Sequence, residues 1–403
     1  MHTVAEELIR GSDISIIALV EALVLEAHTR RASDIHIDPT SSSLRVRFRV
    51  DGVLHETYQL PKAIHSEVIS RIKVLSGLRT DEHQATQDGR FRFTIPDSEE
   101  SIDLRVSILP TYHGENVVMR MLSDHAAHYT LGMLGFSSQD QKKILEAVSK
   151  PHGMILATGP TGSGKTTTLY TLIKMLNTPD VAILTIEDPI EYSVSDIRQI
   201  QVNPRAGVTF ANGLRSILRQ DPNIIMVGEI RDAETAAIAV NTALTGHLLL
   251  STLHTNDSAT TLPRLLDMGV DRYLVASTVN IAIAQRLVRK ICLDCKEGIR
   301  ITHVMAEALA STPLNRPIAV GEVLYHGVGC EACRGTGYMG RLCINEVLVA
   351  NDSIREAILR KASADEIRTL SVLHGMTTML EDGFCKVRNG QTTVQEILRV
   401  IYA

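Results

Sequence analysis

The 403-residue chain contains no tryptophan, and its aromatic residues make up only 4% of the total. Unpaired bases stack on such rings, so their scarcity counts against a nucleic-acid translocase. Positive charge is not in excess either. The formal net charge is -5, which gives no general attraction to nucleic acid or to an anionic membrane. Any such partner must be met by a local patch. Long apolar runs are missing as well: the richest early stretch, Ile14 to Ala27, is interrupted by Glu21 and Glu26 and falls short of the about 20 apolar residues a membrane helix needs. The N-terminus does not show a basic region, an apolar run and a small-residue cleavage site in order, so export is not expected and a cytoplasmic location is. Cysteines are few but not scattered. Of six, four form Cys292-Leu-Asp-Cys295 and Cys330-Glu-Ala-Cys333, leaving Cys343 and Cys385 outside the pattern.

What is present is ordinary for a globular protein, with 44% hydrophobic and 22% charged residues. At about 100 to 200 residues per domain the length allows two or three domains. Residues 4 to 30 have helical periodicity. Then "SLRVRFRVDGVLHETY" alternates Leu44, Val46, Phe48 and Val50 with Arg45, Arg47 and Arg49, and Asp51-Gly52 marks a hairpin turn. The three arginines are expected on a solvated strand face. A helical segment from Pro61 to Leu78 and strand-like runs at 90–95, 102–109 and 116–122 complete an α+β module over residues 1–122. Periodicity is lost in "SDHAAHYTLGMLGF", residues 123–136, which is expected to be a linker. Ser137 or Ser138 caps a short helix to Ser149. From Gly153 the runs "GMILAT", "VAILTIE", "NIIMVGE" and "HLLLSTL" alternate with helical patterns, as buried parallel strands of an α/β domain do. From Asn351 onward the pattern is helical, with Gly375, Gly383 and Gly390 as expected helix boundaries.

Directly after the first of these strands comes "GPTGSGKTTTLY", a P-loop in which Gly159, Gly164, Lys165 and Thr166 stand at G-x-x-x-x-G-K-[ST] spacing. Residues Gly159, Pro160, Thr161, Gly162, Ser163, Gly164, Lys165, Thr166 and Thr167 are therefore expected to hold ATP. The glycines let backbone N–H groups face the phosphates and the helix N-terminus adds positive charge. Lys165 should reach the β- and γ-phosphates, and the Thr166 hydroxyl should bind magnesium. Two further strands end in carboxylates, Glu187 and Glu229, on the edge where ligands of parallel sheets sit. Gly228 occupies the place where an Asp for the metal would be expected. Glu229 and Thr166 are accordingly expected to hold Mg²⁺ and its water shell, with Glu187 orienting or deprotonating the attacking water; the reverse allocation is also open. His247 and His254 flank a strand, and one of them is expected to sense the γ-phosphate. The two C-x-x-C knuckles, separated by 34 residues, can close four thiolates around zinc. No further ligand or general base stands near, so the site is expected to be structural, organising an insertion at about 290–340 with little core of its own. Cys343 and Cys385 are expected in the core.

In this order, the P-loop, "TIEDPIEY", "IMVGEIRD" and "TGHLLLSTLHTND" resemble the Walker A, Asp-box, Walker B and His-box motifs of the secretion ATPases of type II secretion and type IV pilus assembly. "ASDIHIDP", "FRVDGVL", "HGENVVMR", "LRSILRQDPN" and "CRGTGYMGR" resemble the same family, so the likeness runs over about residues 14 to 400. It implies a homo-hexameric ring in which a PAS-like N-terminal module, residues 1–122, is joined to a RecA-like ATPase domain, residues 137–403, with nucleotide at their junction. Arginines that would contact phosphate match Arg90, Arg105 and Arg120, then Arg215, Arg219 and Arg231; such a finger contributes about 10³- to 10⁵-fold in rate. Arg219 has the alternative of capping a helix or pairing with Asp221. In the family the four-cysteine insertion accompanies assembly ATPases and is missing from pilus-retraction relatives. The implied activity is ATP hydrolysis that powers pseudopilus or pilus assembly on inner-membrane platform proteins, with no nucleic acid as partner. Most members carry a further N-terminal domain that docks on that platform, whereas this sequence opens one helix ahead of the module. A ring translocase of nucleic acid and a non-hydrolysing scaffold are the rival readings.

Overall fold

The computed structural model describes residues 3–96, 98, 100–122, 129–310 and 312–402. The chain divides into two compact units, residues 1–125 and 126–403. Of the expected linker, residues 123–128 lie outside the described residues, while Leu131–Leu134 already forms a short helix.

In the first unit α1 (Val4–Ile9) and α2 (Ile16–Thr29) precede β1 (Ala32–Pro39), β2 (Ser43–Val50) and β3 (Val53–Pro61). After α3 (His65–Leu75) come β4 (Gln87–Thr94), β5 (Ser101–Thr111) and β6 (Gly114–Leu122). The one helix expected over 4–30 is thus two, because Gly11 adopts φ +59 and ends the first. The six strands form one antiparallel sheet in the order β3-β2-β1-β6-β5-β4. Asp51 and Gly52 both have positive φ, +49 and +86, the combination a two-residue I′ hairpin demands. Since strand side chains alternate, Leu44, Val46 and Phe48 go under α2 and α3 with Ile35, Ile37, Leu104 and Met119, and the arginines go to the other face.

The second unit begins with α4 (Leu131–Leu134) and α5 (Ser138–Val148), the latter capped by the Ser137 side chain. Then β7 (Gly153–Thr158), α6 (Lys165–Leu176), β8 (Ile183–Glu187), β9 (Arg198–Gln201), α7 (Phe210–Ile217) and β10 (Ile224–Val227) follow. They lead to α8 (Ala233–Leu244), β11 (Leu248–Leu253), α9 (Ser258–Asp267), α10 (Arg272–Thr278) and β12 (Val279–Ile291). Next come β13 (Lys296–Arg300), α11 (His303–Leu309), β14 (Val323–Gly327) and β15 (Tyr338–Val349). Four helices close the chain: α12 (Asp352–Leu359), α13 (Ala364–Leu373), α14 (Met379–Arg388) and α15 (Val394–Ile401). The central sheet runs β15-β12-β7-β11-β10-β8-β9 and is parallel except for β15. Both of its faces are covered, which is why its strands read as continuous apolar runs. Met154 and Leu156 face one layer with Leu214, Val240 and Leu262, whereas Ile155 and Ala157 face the other with Ile144, Leu169 and Ile173.

Three expectations are corrected here. Gly375 and Gly390 follow helices with φ of +88 and +66, but Gly383 lies inside α14, where a Cβ would come within 2.9 Å of Ile397. It is a contact point between α14 and α15, not a boundary. Cys343 is buried as expected, whereas Cys385 is exposed. The long pair β12 and β15 was not among the expected strands, because β12 is buried on both faces at its start and half-exposed at its end, so no single period runs through it.

Candidate functional site

The loop between β7 and α6 takes its shape from three glycines, Gly159, Gly162 and Gly164, at φ +137, +77 and +90. Space enforces two of them. A Cβ on Gly159 would sit 2.5 Å from the Gln285 carbonyl oxygen, and one on Gly164 would lie 2.9 Å from its Nε2. Gln285, on β12, clamps the loop: its Nε2 donates to the Ser163 carbonyl at 2.8 Å and its Oε1 accepts the Thr168 hydroxyl at 2.9 Å. Sequence reading missed this residue, although a glutamine ending the apolar run 281–284 was the available signal. Ser163 Oγ is buried without a hydrogen-bond partner. Lys165, 8% exposed, turns its ammonium onto the loop's own carbonyls, Gly159 at 2.8 Å and Pro160 at 2.9 Å. Burial lowers its pKa below the ordinary lysine value, and the charge of Glu229 partly offsets that. A cradle with an unsatisfied hydroxyl and a cation held only by carbonyl oxygens fits a phosphate. Thr166 is half-buried in the first turn of α6, where a metal-bound phosphate would meet it.

Strand order sets the distance of each carboxylate from this loop. β11 lies between β7 and β10, and β8 lies one strand further out. Glu229 follows β10, is 8% exposed, and is paired with Arg231 and with His254 Nε2 at 3.1 Å. Glu187 ends β8 and is 2% exposed. Its Oε1 accepts Thr185 Oγ1 at 2.6 Å and Gln199 Nε2 at 3.2 Å, and its Oε2 accepts the Tyr170 hydroxyl. Burial raises this carboxyl above its ordinary value against the opposing pull of those three donors. Gly228 is a glycine because a Cβ there would lie 3.3 Å from both Glu187 Cα and the Ile186 carbonyl oxygen. The neighbouring strand leaves no ready room for an Asp.

Of the two histidines, His254 alone follows β11 at the phosphate edge. His247 precedes the strand, about 20 Å away at the rise of a six-residue strand, and its Nδ1 lies 3.2 Å from the Thr242 carbonyl. Arg219 also stands at the far edge, where the chain enters β10, and donates to Arg215 O at 3.0 Å and Ser216 Oγ at 3.1 Å. Within its own chain it caps a helix. Arg215 pairs with Glu234 at 2.7 Å, and Arg231 stands beside Glu229 and lies 4.0 Å from Asp188. In the first unit, Arg90, Arg105 and Arg120 occupy directly opposed positions on β4, β5 and β6, so they form one row on the polar face. Asp34 is next in that row and Arg49 follows it. Buried Asp34 binds Arg120 Nε at 3.0 Å and Arg49 Nε at 3.4 Å, and Arg47 pairs with Asp38 at 2.7 Å. The face expected to be merely solvated is therefore laced with ion pairs.

The four cysteines Cys292, Cys295, Cys330 and Cys333 are brought together, with all sulfurs within 4.8 Å of one another. Cys292–Cys330 and Cys295–Cys333 are 3.8 Å apart, and Cys330–Cys333 are 3.7 Å apart. A tetrahedron with Zn–S near 2.3 Å has edges of about 3.8 Å, so these three spacings match the edges of a zinc site. Backbone amides point at the sulfurs: Gly329 N to Cys295 at 3.3 Å, and Cys330 N and Gly337 N to Cys333 at 3.1 and 3.2 Å. Such donors favour thiolates, the form a metal takes. Gly327 and Gly337 let the chain entering the second knuckle touch the chain leaving it, for a Cβ on Gly327 would stand 2.1 Å from the Gly337 carbonyl oxygen. The buried apolar residues of the insertion, Ile301, Ile318 and Leu324, share a cluster with Val288, Leu342, Phe384 and Ile397 of the main body.

A glycine loop at the C-terminal edge of a parallel sheet, faced by a buried lysine and two strand-end carboxylates, defines a P-loop ATPase. The chain belongs, more particularly, to the type II/IV secretion system protein family, whose sequence model matches residues 10–399. It is 49% identical over 390 residues to the "Type II secretion system protein E" of Xanthomonas campestris pv. campestris, covering 97% of this chain and 68% of that one. It is 46% identical to the "Type IV pilus assembly ATPase PilB" of Thermus thermophilus, covering 94% of this chain and 42% of that protein's length. Among solved structures, that of the pilus retraction motor PilT with bound ADP matches with a TM-score of 0.63 at 25% identity, over 94% of this chain and 96% of the other. The Legionella pneumophila ATPase DotB matches in fold, with a TM-score of 0.68 at 24% identity over 94% of each chain. Among the described residues no helix is long and apolar enough to cross a membrane.

Proposed function

We propose that this protein is the ATPase of a type II secretion system, a homo-hexamer that uses ATP and magnesium at the cytoplasmic face of the inner membrane to drive pseudopilus assembly through platform proteins. The observation that carries this reading is the identity of 49% over 97% of the chain to a type II secretion protein E. The 46% identity to a pilus assembly ATPase supports extension of a type IV pilus as the second reading. In either setting residues 1–122 act as a PAS-like module and 137–403 as a RecA-like domain whose insertion is held by zinc.

The roles follow from charge and position. Lys165 leaves its carbonyl partners for the β- and γ-phosphates, exchanging acceptors that are only dipoles for acceptors that carry full charge. Thr166 and Glu229 would hold the magnesium and its water shell, and the metal would supply positive charge to the phosphate oxygens. Glu187 accepts the proton of the attacking water, which its raised basicity suits. His254 reports on the occupancy of Glu229. Arg105 and Arg120 supply positive charge to the transferring phosphoryl group, and Arg219, at the far edge of its own sheet, does so for the site of a neighbouring ring subunit. Nothing in this scheme needs nucleic acid.

The test is ATPase activity of the full chain against protein concentration, for the parent, Lys165→Ala, Glu229→Gln and Arg105→Ala. Specific activity should rise as rings form, and each variant should fall by about 100-fold or more. Retained turnover in all three variants would defeat the scheme. Activity independent of concentration would remove the ring, and salt-sensitive stimulation by DNA would favour a translocase.

A further inference from the structure

The carboxylate of Glu187 is gripped from three elements at once. Thr185 holds it from its own strand, Gln199 from β9, and Tyr170 from α6. Gln199 is itself fixed: its Oε1 accepts Val194 N at 2.8 Å, so its amide hydrogens must face Glu187, Tyr170 Oη at 3.3 Å and the Tyr192 carbonyl at 3.1 Å. Tyr170 is 1% exposed, and its ring stands edge-on to Tyr192 with centroids 4.4 Å apart. A phenylalanine would fill the same space, so what the tyrosine adds is one hydroxyl aimed at one carboxylate oxygen. The location matters too. Lys165 and Tyr170 lie on the same helix, one at its first residue and the other just over a turn later.

We propose that Tyr170 is a positioning residue for ATP hydrolysis, its hydroxyl fixing the orientation in which Glu187 meets the attacking water and tying that orientation to the phosphate-loop helix. The inference rests on Glu187 being the proton acceptor. A hydrogen bond to the ionised carboxylate also lowers its proton affinity, so removing the bond must raise it. The hydroxyl therefore acts on two measurable quantities, the geometry of attack and the pH at which the acceptor becomes protonated.

The experiment is the pH profile of kcat and KM for MgATP in the full chain, for the parent, Tyr170→Phe, Gln199→Leu and Glu187→Gln. Tyr170→Phe should lower kcat about tenfold, the worth of one such bond, with KM within about twofold of the parent. Its acid limb should move to higher pH, because a base that holds its proton more tightly is lost sooner on acidification. Gln199→Leu, at a half-buried position, should move the limb the same way. A purely structural role would scale kcat equally at every pH and leave the limb in place; that result, or parent-like profiles in both variants, overturns the inference. Glu187→Gln separates the two claims. If it retains turnover, the proton-acceptor reading fails and takes this inference with it; if it is inactive while Tyr170→Phe behaves as the parent, only the role of Tyr170 falls.

Discussion

Lys165 and Gln285 show at the scale of single residues how a loop is kept ready for an anion. The lysine is satisfied by carbonyl oxygens alone, so an arriving phosphate replaces dipoles with full charge, while the glutamine keeps the backbone shape whether or not phosphate is there. Gln285 is 1% exposed, and both its partners lie in the interior. Gln285→Leu keeps the volume but strands the Ser163 carbonyl and the Thr168 hydroxyl. Unpaired buried groups cost about 1–3 kcal/mol each, so the variant should lose about 3 kcal/mol of stability and bind ATP more weakly. Denaturant unfolding and nucleotide titration check the two effects separately. Unchanged midpoints would mean that the clamp does not hold the loop.

At the scale of elements, the last helix is fastened by one buried carboxylate. Glu396 on α15 accepts from Arg289 N at 3.1 Å and Nη2 at 2.6 Å on β12, and from Arg399 at 2.7 and 2.8 Å. Arg289 also lies over the Tyr338 ring, 4.1 Å from its centroid, so β12, β15 and α15 meet at one point. Burial would raise the Glu396 carboxyl, but Arg399 and Arg289 outweigh it and bring the pKa down to about 2. A lowered folded-state pKa means the ionised form favours the fold above the unfolded value of about 4.3, and this contribution is lost as pH falls from there toward 2. Glu396→Gln should therefore destabilise the protein by about 3 kcal/mol at pH 7. The gap between parent and variant should close as pH is lowered through that window. Unfolding midpoints measured from pH 7 to pH 2.5 decide it; a gap independent of pH would show that packing, not charge, fastens α15.

The whole molecule has separate cores, one in the first unit and several in the second. The four-cysteine centre borders the cluster that joins the insertion to α14 and α15. A chelator that strips the zinc proposed at this centre should therefore melt more than the knuckles. Residues 292–337 should lose amide protection first and α14 and α15 should weaken with them, while β1 to β6 stay protected. Hydrogen exchange mapped along the chain reads this directly, and unchanged protection at 292–337 would mean that the centre does not depend on a metal.

Much of this was written locally. Spacing announced the phosphate loop, the alternation around Asp51-Gly52 announced the hairpin, Ser137 announced a helix start, and paired knuckles announced a four-sulfur centre, because each depends on neighbours a few residues away. The assignment of Gly383 to a boundary failed for the opposite reason: its contact with Ile397 comes from another helix, invisible to a local pattern. The sequence alone determined which residue types could bind phosphate, metal and water, since that chemistry resides in the side chains. Only the tertiary structure decided which of them meet. Strand order separated Glu229 from Glu187, cross-strand register lined up three arginines with Asp34, and helix packing brought Tyr170 to Glu187. Such meetings depend on contacts between residues far apart in the chain, and these form only when the sheet closes and its layers pack.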